Sequence, residues 1–170
     1  MIKVRKGCFE TNSSSVHALV VSHGSRESYP HTIIFGIGEY GWSFETLDTM
    51  GERLSYFYTA ACALRHYDVG AEIRKMLAPL GVDVVIVNHP NFVVWEKDGK
   101  PYLDNGYVDH CDELLDWVNR CYRDIEYFLD WVFGETSRAL LGNDNCDEEE
   151  LDPIENPKLA GNEECFLKGN

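Results

Sequence analysis

The chain lacks any uninterrupted apolar run near the roughly 18 residues that a membrane span requires, so no transmembrane segment and no membrane partner are expected. It is short of base: 15 Lys and Arg stand against 29 Asp and Glu, a formal net charge of -14 over 170 residues. A phosphate backbone is held by cations, so this shortage argues against direct nucleic-acid binding. It lacks a Cys-x-x-Cys pair: Cys8, Cys62, Cys111, Cys121, Cys146 and Cys165 are scattered, which disfavours a structural zinc site. No apolar leader follows Met1-Ile2-Lys3-Val4-Arg5-Lys6, so a cytoplasmic setting with reduced thiols is expected. What is abundant is core material, with 44% hydrophobic and 12% aromatic residues. One compact unit fits this length best.

The charge is unevenly divided. Residues 1–100 hold 11 acids and 10 bases, whereas residues 101–170 hold 18 acids and 5 bases, a net of -13. Such a segment complements a basic protein surface, or it serves solubility alone.

Strand-like runs cover Ile2 to Phe9, Val16 to Val21 and Thr32 to Phe35, the first two joined by the polar stretch Glu10 to Ser15. Thr49-Met50-Gly51-Glu52 reads as a capping box, predicting a helix to about His66 with Leu54, Phe57, Tyr58, Ala61 and Leu64 inward. A second helix is predicted from Val69 to Ala78, stopped by Pro79 and Gly81. The apolar run Val82 to Val87 reads as a central strand covered on both faces. Asp98-Gly99 predicts a hairpin between segments Asn91 to Lys97 and Pro101 to Leu103. Asp109 to Phe133 is the longest periodic segment, predicted as one helix with Leu114, Val118, Cys121, Ile125, Phe128 and Val132 in its stripe and Leu115, Tyr122 and Leu129 widening it. The fold class expected is α/β (α+β), a small mixed sheet with hairpins against about three helices. It occupies residues 1–142, with residues 143–170 an irregular acidic tail.

Four patterns could carry chemistry. Gly36-Ile37-Gly38-Glu39-Tyr40-Gly41 matches a dinucleotide loop, yet the next helix start is eight residues beyond and Glu39 would repel phosphate. A glycine-rich turn carrying Tyr40 and Trp42 into the core is the expectation, and no cofactor. Ser13, Ser15 and His17 are weak catalytic candidates; His23, His66, His89 or His110, with Asp68 or Asp109, could be brought to them by the fold. Asn143, Asn145, Asp147 and Glu149 alternate like part of a calcium loop without its glycine or final glutamate, so no metal is assigned. On the long helix, Asp109, Asp112, Glu113, Asp116, Asp124, Glu126 and Asp130 fall opposite the apolar stripe as a ridge, interrupted by Arg120 and Arg123, which can pair with Asp116 and Glu126.

The opening Arg5-Lys6-Gly7-Cys8-Phe9-Glu10-Thr11-Asn12-Ser13-Ser14-Ser15-Val16-His17 resembles the start of a family of small phage and mobile-element proteins of Gram-positive bacteria that begin F-E-T-N-S-S-S-x-H. Gly38 to Trp42 and Leu54-Ser55-Tyr56 look like later landmarks, while Cys8 departs from the bulkier apolar residue common in such proteins. The resemblance implies a phage setting and no catalytic residues. Small acidic phage proteins often block host defence enzymes, anti-CRISPR proteins among them. The functional expectation is therefore a non-catalytic inhibitor of a host nucleic-acid-dependent defence enzyme, such as a CRISPR effector nuclease. Asp112, Asp116, Glu126, Asp130, Asp147, Glu148, Glu149 and Glu150 would meet the basic channel. The alternatives are a small hydrolase or transferase using Thr11 to His17, or a virion or regulatory protein.

Overall fold

The computed structural model describes residues 15–65, 68–87, 94–97, 100–103, 107–108, 111–143 and 145–168. The expected strand Ile2 to Phe9, the turn through Ser14, the Asp98-Gly99 turn, and His66, His89, Asp109 and His110 lie outside them.

The architecture is α+β. Strand β1 (Ser15–Ser22) is followed by β2 (Thr32–Phe35), β3 (Glu45–Leu47), α1 (Met50–Arg65), α2 (Val69–Leu77), β4 (Asp83–Ile86), β5 (Val94–Lys97), β6 (Lys100–Leu103), α3 (Leu115–Arg123), α4 (Ile125–Phe133), β7 (Arg138–Asn143), α5 (Glu148–Glu155) and β8 (Glu163–Lys168). The main sheet runs β3-β7-β1-β8 and is antiparallel throughout. β2 and β4 pair in parallel, which requires a crossover, here made by α1 and α2. β5 and β6 pair antiparallel, with Lys97 opposite Lys100, as a two-residue turn demands.

Every residue of β1 is buried, because this strand sits between β7 and β8 and is covered above and below. Its alternation divides the interior. Leu19 and Val21 join the large cluster containing Phe57, Trp117, Phe128 and Trp131. Val16 and Ala18 turn the other way and meet Ile154, with Leu151 and Cys165 beside it. Helices α1, α3 and α4 thus lie on one side of the main sheet and α5 on the other. Each large apolar side chain sealed here contributes about 1.5–3 kcal/mol.

The capping box forms as read, with the Glu52 amide donating to Thr49 Oγ1 at 3.3 Å and the Thr49 amide donating to Glu52 Oε2 at 3.1 Å. Arg53 was not singled out in the sequence, yet it is fully buried. It donates to the carbonyls of Val132 (2.8 Å), Asp48 (2.6 Å) and Ser137, so one guanidinium ties α1 to α4 and to the start of β7.

Three sequence expectations are corrected. The segment Val82 to Val87 is not central: β4 pairs only with β2 among the described residues, and Val85 and Val87 are exposed. A continuous apolar run reports strand propensity, and coverage depends on what packs there; β1 holds the middle instead. The segment from 109 to 133 is not one helix. Asp124 leaves helical geometry (φ -124°, ψ 96°) and its carboxylate accepts from the Tyr127 amide at 3.1 Å, capping α4. Aspartate competes for backbone amides in this way. The break resets the phase of the second half, where Ile125, expected inside, is exposed; Leu115, expected to widen the stripe, is exposed at the first position of α3. Finally, no irregular tail begins at residue 143. Asp147 caps α5 through a reciprocal box with Glu150, and β8 pairs with β1 from His17 opposite Lys168 to Ser22 opposite Glu163. The acid run itself supplies the cap. Among the described residues no helix is long and apolar enough to cross a membrane.

Candidate functional site

The eight carboxylates expected to act together are separated by the fold. Asp112 and Asp116 are exposed at the start of α3 and in the short 3-10 turn before it. Asp130 is withdrawn from any surface role. It is 7% exposed, accepts from Arg26 Nε at 2.7 Å, and lies 2.8 Å from His23 Nδ1. Glu126, although exposed, receives the other arm of Arg26 at 2.7 Å. Among the described residues Arg120 forms no salt bridge with Asp116 or Glu126, the partners expected for it. It reaches Glu164 of β8 at 2.5 Å while its guanidinium lies 3.7 Å from the centre of the Tyr127 ring. The ridge of the long helix is therefore partly an internal ion network stapling α4 to the loop after β1, and α3 to β8.

The other four acids belong to α5, on the opposite side of the sheet. Asp147 and Glu150 are consumed by the cap: the Glu150 amide donates to Asp147 Oδ1 at 3.0 Å, and the Asp147 amide to Glu150 Oε2 at 3.3 Å. Glu148, Glu149, Asp152 and Glu155 are exposed, while Leu151 and Ile154 point to the sheet. The result is a short helix whose outer surface carries four carboxylates and no base, with Pro153 the one uncharged exposed residue.

Next to it lies a feature that sequence reasoning placed wrongly. Trp42 was expected in the core, yet it is 46% exposed, and Phe44 is 39% exposed. Tyr40 alone goes inside, where its ring meets Tyr56 with centroids 5.1 Å apart. The Trp42 carbonyl accepts from Asn143 Nδ2 at 2.6 Å, and Asn143 Oδ1 accepts from the Asn145 amide at 2.9 Å. These bonds join the aromatic turn to the connection that leads into α5. They also account for the alternation that resembles a calcium loop, because Asn143 and Asp147 are committed to backbone groups. Among the described residues no group of three or more His, Cys, Asp or Glu side chains is placed to hold a metal ion.

The glycine motif is likewise committed. The amides of Gly36 and Gly38 donate to Ser55 Oγ (3.2 Å) and Thr59 Oγ1 (3.1 Å) on α1, so they are not presented to a pyrophosphate. Gly36 has a second reason to be glycine: a Cβ there would stand 1.9 Å from the Val87 carbonyl oxygen.

Of the catalytic candidates, Ser15 and His17 are buried on β1, and Ser13 lies outside the described residues. The fold brings two unforeseen groups to them. Lys168 donates to Ser15 Oγ and, at 3.2 Å, to its carbonyl, and His17 Nδ1 shares a 2.7 Å hydrogen bond with Tyr56 Oη. Burial holds Tyr56 well above the usual tyrosine range, so it stays a neutral phenol. Cys111, nearby, is pushed up to about 12, chiefly by burial, with Asp112 adding to it. In this arrangement the lysine donates to the serine hydroxyl, whereas a general base must accept its proton. His23 goes to Asp130 instead and does not join this group. The signal that could have found Lys168 is its place as the last base of the chain, at the end of the strand Glu163–Lys168; Tyr56 lay off the expected helix face and was marked only by the resemblance at Leu54-Ser55-Tyr56.

No family model, curated protein or solved structure matches the chain.

Proposed function

We propose that the chain is a non-catalytic binding protein that engages a basic surface of a protein partner through the outward carboxylates of α5. The observation that supports this reading is the composition of that helix. From Asp147 to Glu155 there are six acids (Asp147, Glu148, Glu149, Glu150, Asp152, Glu155) and no base. Helix electrostatics explain the first turn, where carboxylates are stabilised by the positive end of the macrodipole. They do not explain Glu155 in the last turn, which the same dipole disfavours and which has no basic neighbour in that turn. A cationic partner does. The phage-like opening directs the reading further, to inhibition of a host nucleic-acid-dependent defence enzyme whose phosphate-binding channel supplies the basic surface.

The test replaces Glu148, Glu149 and Glu155 with glutamine and leaves Asp147 and Glu150 to hold the cap. Wild-type chain and variant are compared in affinity capture from host lysate, with and without nuclease treatment. The reading expects a nuclease-resistant protein partner that the variant loses; equal recovery by both overturns it.

A second reading, a small hydrolase or transferase, draws support from the convergence of Ser15, His17, Tyr56 and Lys168. Alanine at Ser15 and at His17, one at a time, separates the two, because an enzyme loses turnover while a binding protein keeps its partner.

A further inference from the structure

We infer that the exposed aromatic edge formed by Trp42, Phe44 and β3, together with the first turn of α5, docks an extended, arginine- or lysine-bearing segment of the partner. This inference rests on the reading above and names the form in which the basic charge arrives.

Three independent features meet at this edge. The first is the strand itself. β3 ends the main sheet, and among the described residues it pairs only with β7. Sheet edges in folded proteins are blunted by short strands, charged side chains, proline or bulges, because unpaired amides and carbonyls accept another strand, and the sign of an edge charge selects which strands are admitted. The strand Glu45-Thr46-Leu47 is only three residues long and carries no lysine or proline; its one charge is the negative Glu45, so the segment this edge admits is a cationic one.

The second feature is the pair of aromatics running into that strand. Trp42 and Phe44 are large, apolar and roughly half exposed, the residue types that dominate binding surfaces and whose ring faces attract guanidinium and ammonium groups. They alternate with Ser43 and Glu45, as positions along an added strand would sample them.

The third is charge of one sign around them. Ser43 Oγ donates to Glu45 Oε1 at 3.3 Å, and partial burial raises the Glu45 carboxyl above its ordinary value, which marks a carboxylate short of solvation. On the far side, the Asn143 bond to the Trp42 carbonyl fixes the aromatic turn beside the chain leading to α5. Glu148 stands five positions after Asn143, so the acidic turn begins within about 17 Å of that residue even at full extension. A cationic side chain over Trp42 therefore has carboxylates within reach along the segment that carries it. A nucleic acid is excluded by the same charge, and an acidic peptide would be repelled.

The test uses the full chain and a fluorescent short peptide of alternating arginine and threonine, read by anisotropy. Saturable binding is expected. It should weaken about tenfold or more when Trp42 and Phe44 are both replaced by alanine, with circular dichroism unchanged, and also for the single Phe44→Ala variant. A peptide with proline at alternate positions, which cannot add to a strand, should bind as poorly, and a glutamate-threonine peptide not at all. Unchanged affinity in the aromatic variants, or equal binding of the proline peptide, overturns the docking edge. If the variant with glutamine at Glu148, Glu149 and Glu155 still loses the lysate partner in that case, the acidic reading stands without it. Absence of saturable binding by the wild-type chain overturns the docking edge as well.

Discussion

Asn143 Nδ2 donates to the carbonyl oxygen of Trp42 at 2.6 Å, across 101 positions of sequence, and the bond fastens an exposed aromatic turn to the loop that starts the acidic helix. Asn143 is 2% exposed, and its Oδ1 also takes the Asn145 amide. Asn143→Ala removes both bonds and leaves two part-buried backbone groups to water, which should cost about 1 kcal/mol in urea denaturation. The same variant should weaken peptide binding at the Trp42 edge while leaving β1 and its pairing intact.

Arg53 supplies a second prediction. Its guanidinium satisfies carbonyls from Asp48, Val132 and Ser137 inside the core, and Glu27 Oε1 stands 3.3 Å away as its countercharge. Lysine cannot reproduce a fork that serves several acceptors at once. Arg53→Lys should therefore destabilise the fold by about 3 kcal/mol or more, and Arg53→Met by a similar amount, measured as a shift in urea midpoint.

The thiols predict a pH dependence. Burial pushes Cys62 and Cys111 up to about 12 and holds Cys121 well above its ordinary value. A group whose folded-state value is raised contributes stability that is fully present below its unfolded value, about 8.5 for a thiol, and that is lost as pH rises toward the folded value. The urea midpoint should hold steady up to about pH 8.5 and fall from there toward pH 12. Iodoacetamide at mildly alkaline pH should leave Cys111 and Cys121 unlabelled until denaturant is added, which peptide mapping reads directly.

Sequence pattern was informative where a local signal and the tertiary outcome coincide. The Thr49-Glu52 box, the start of α1, the stop at Pro79 and Gly81, and the strand pairing around residues 98–99 all depend on neighbours a few residues apart. It failed where the decisive partner is remote. Asp130 looked like a surface acid because helix periodicity knows nothing of Arg26, 104 positions earlier. The stretch after Gly142 looked irregular because its acids were read as solvating charge, when Asp147 and Glu150 build a cap and Glu163 to Lys168 complete the sheet on β1. Of the candidate site, the acidic character of α5 was legible; its separation from Asp112 and Asp116 by the sheet was not, since only the alternation of β1 between two clusters reveals it.

In the proposed function, recognition belongs to the α5 side of the sheet and not to the ridge on α3 and α4. Amide hydrogen exchange on the chain alone and with its captured partner tests this most directly. New protection is expected at residues 42–47 and 147–155 alone, with the amides of 111–123 unchanged. Protection concentrated on 111–123, or on the buried strand around Ser15 and His17 with α5 unaffected, would contradict it.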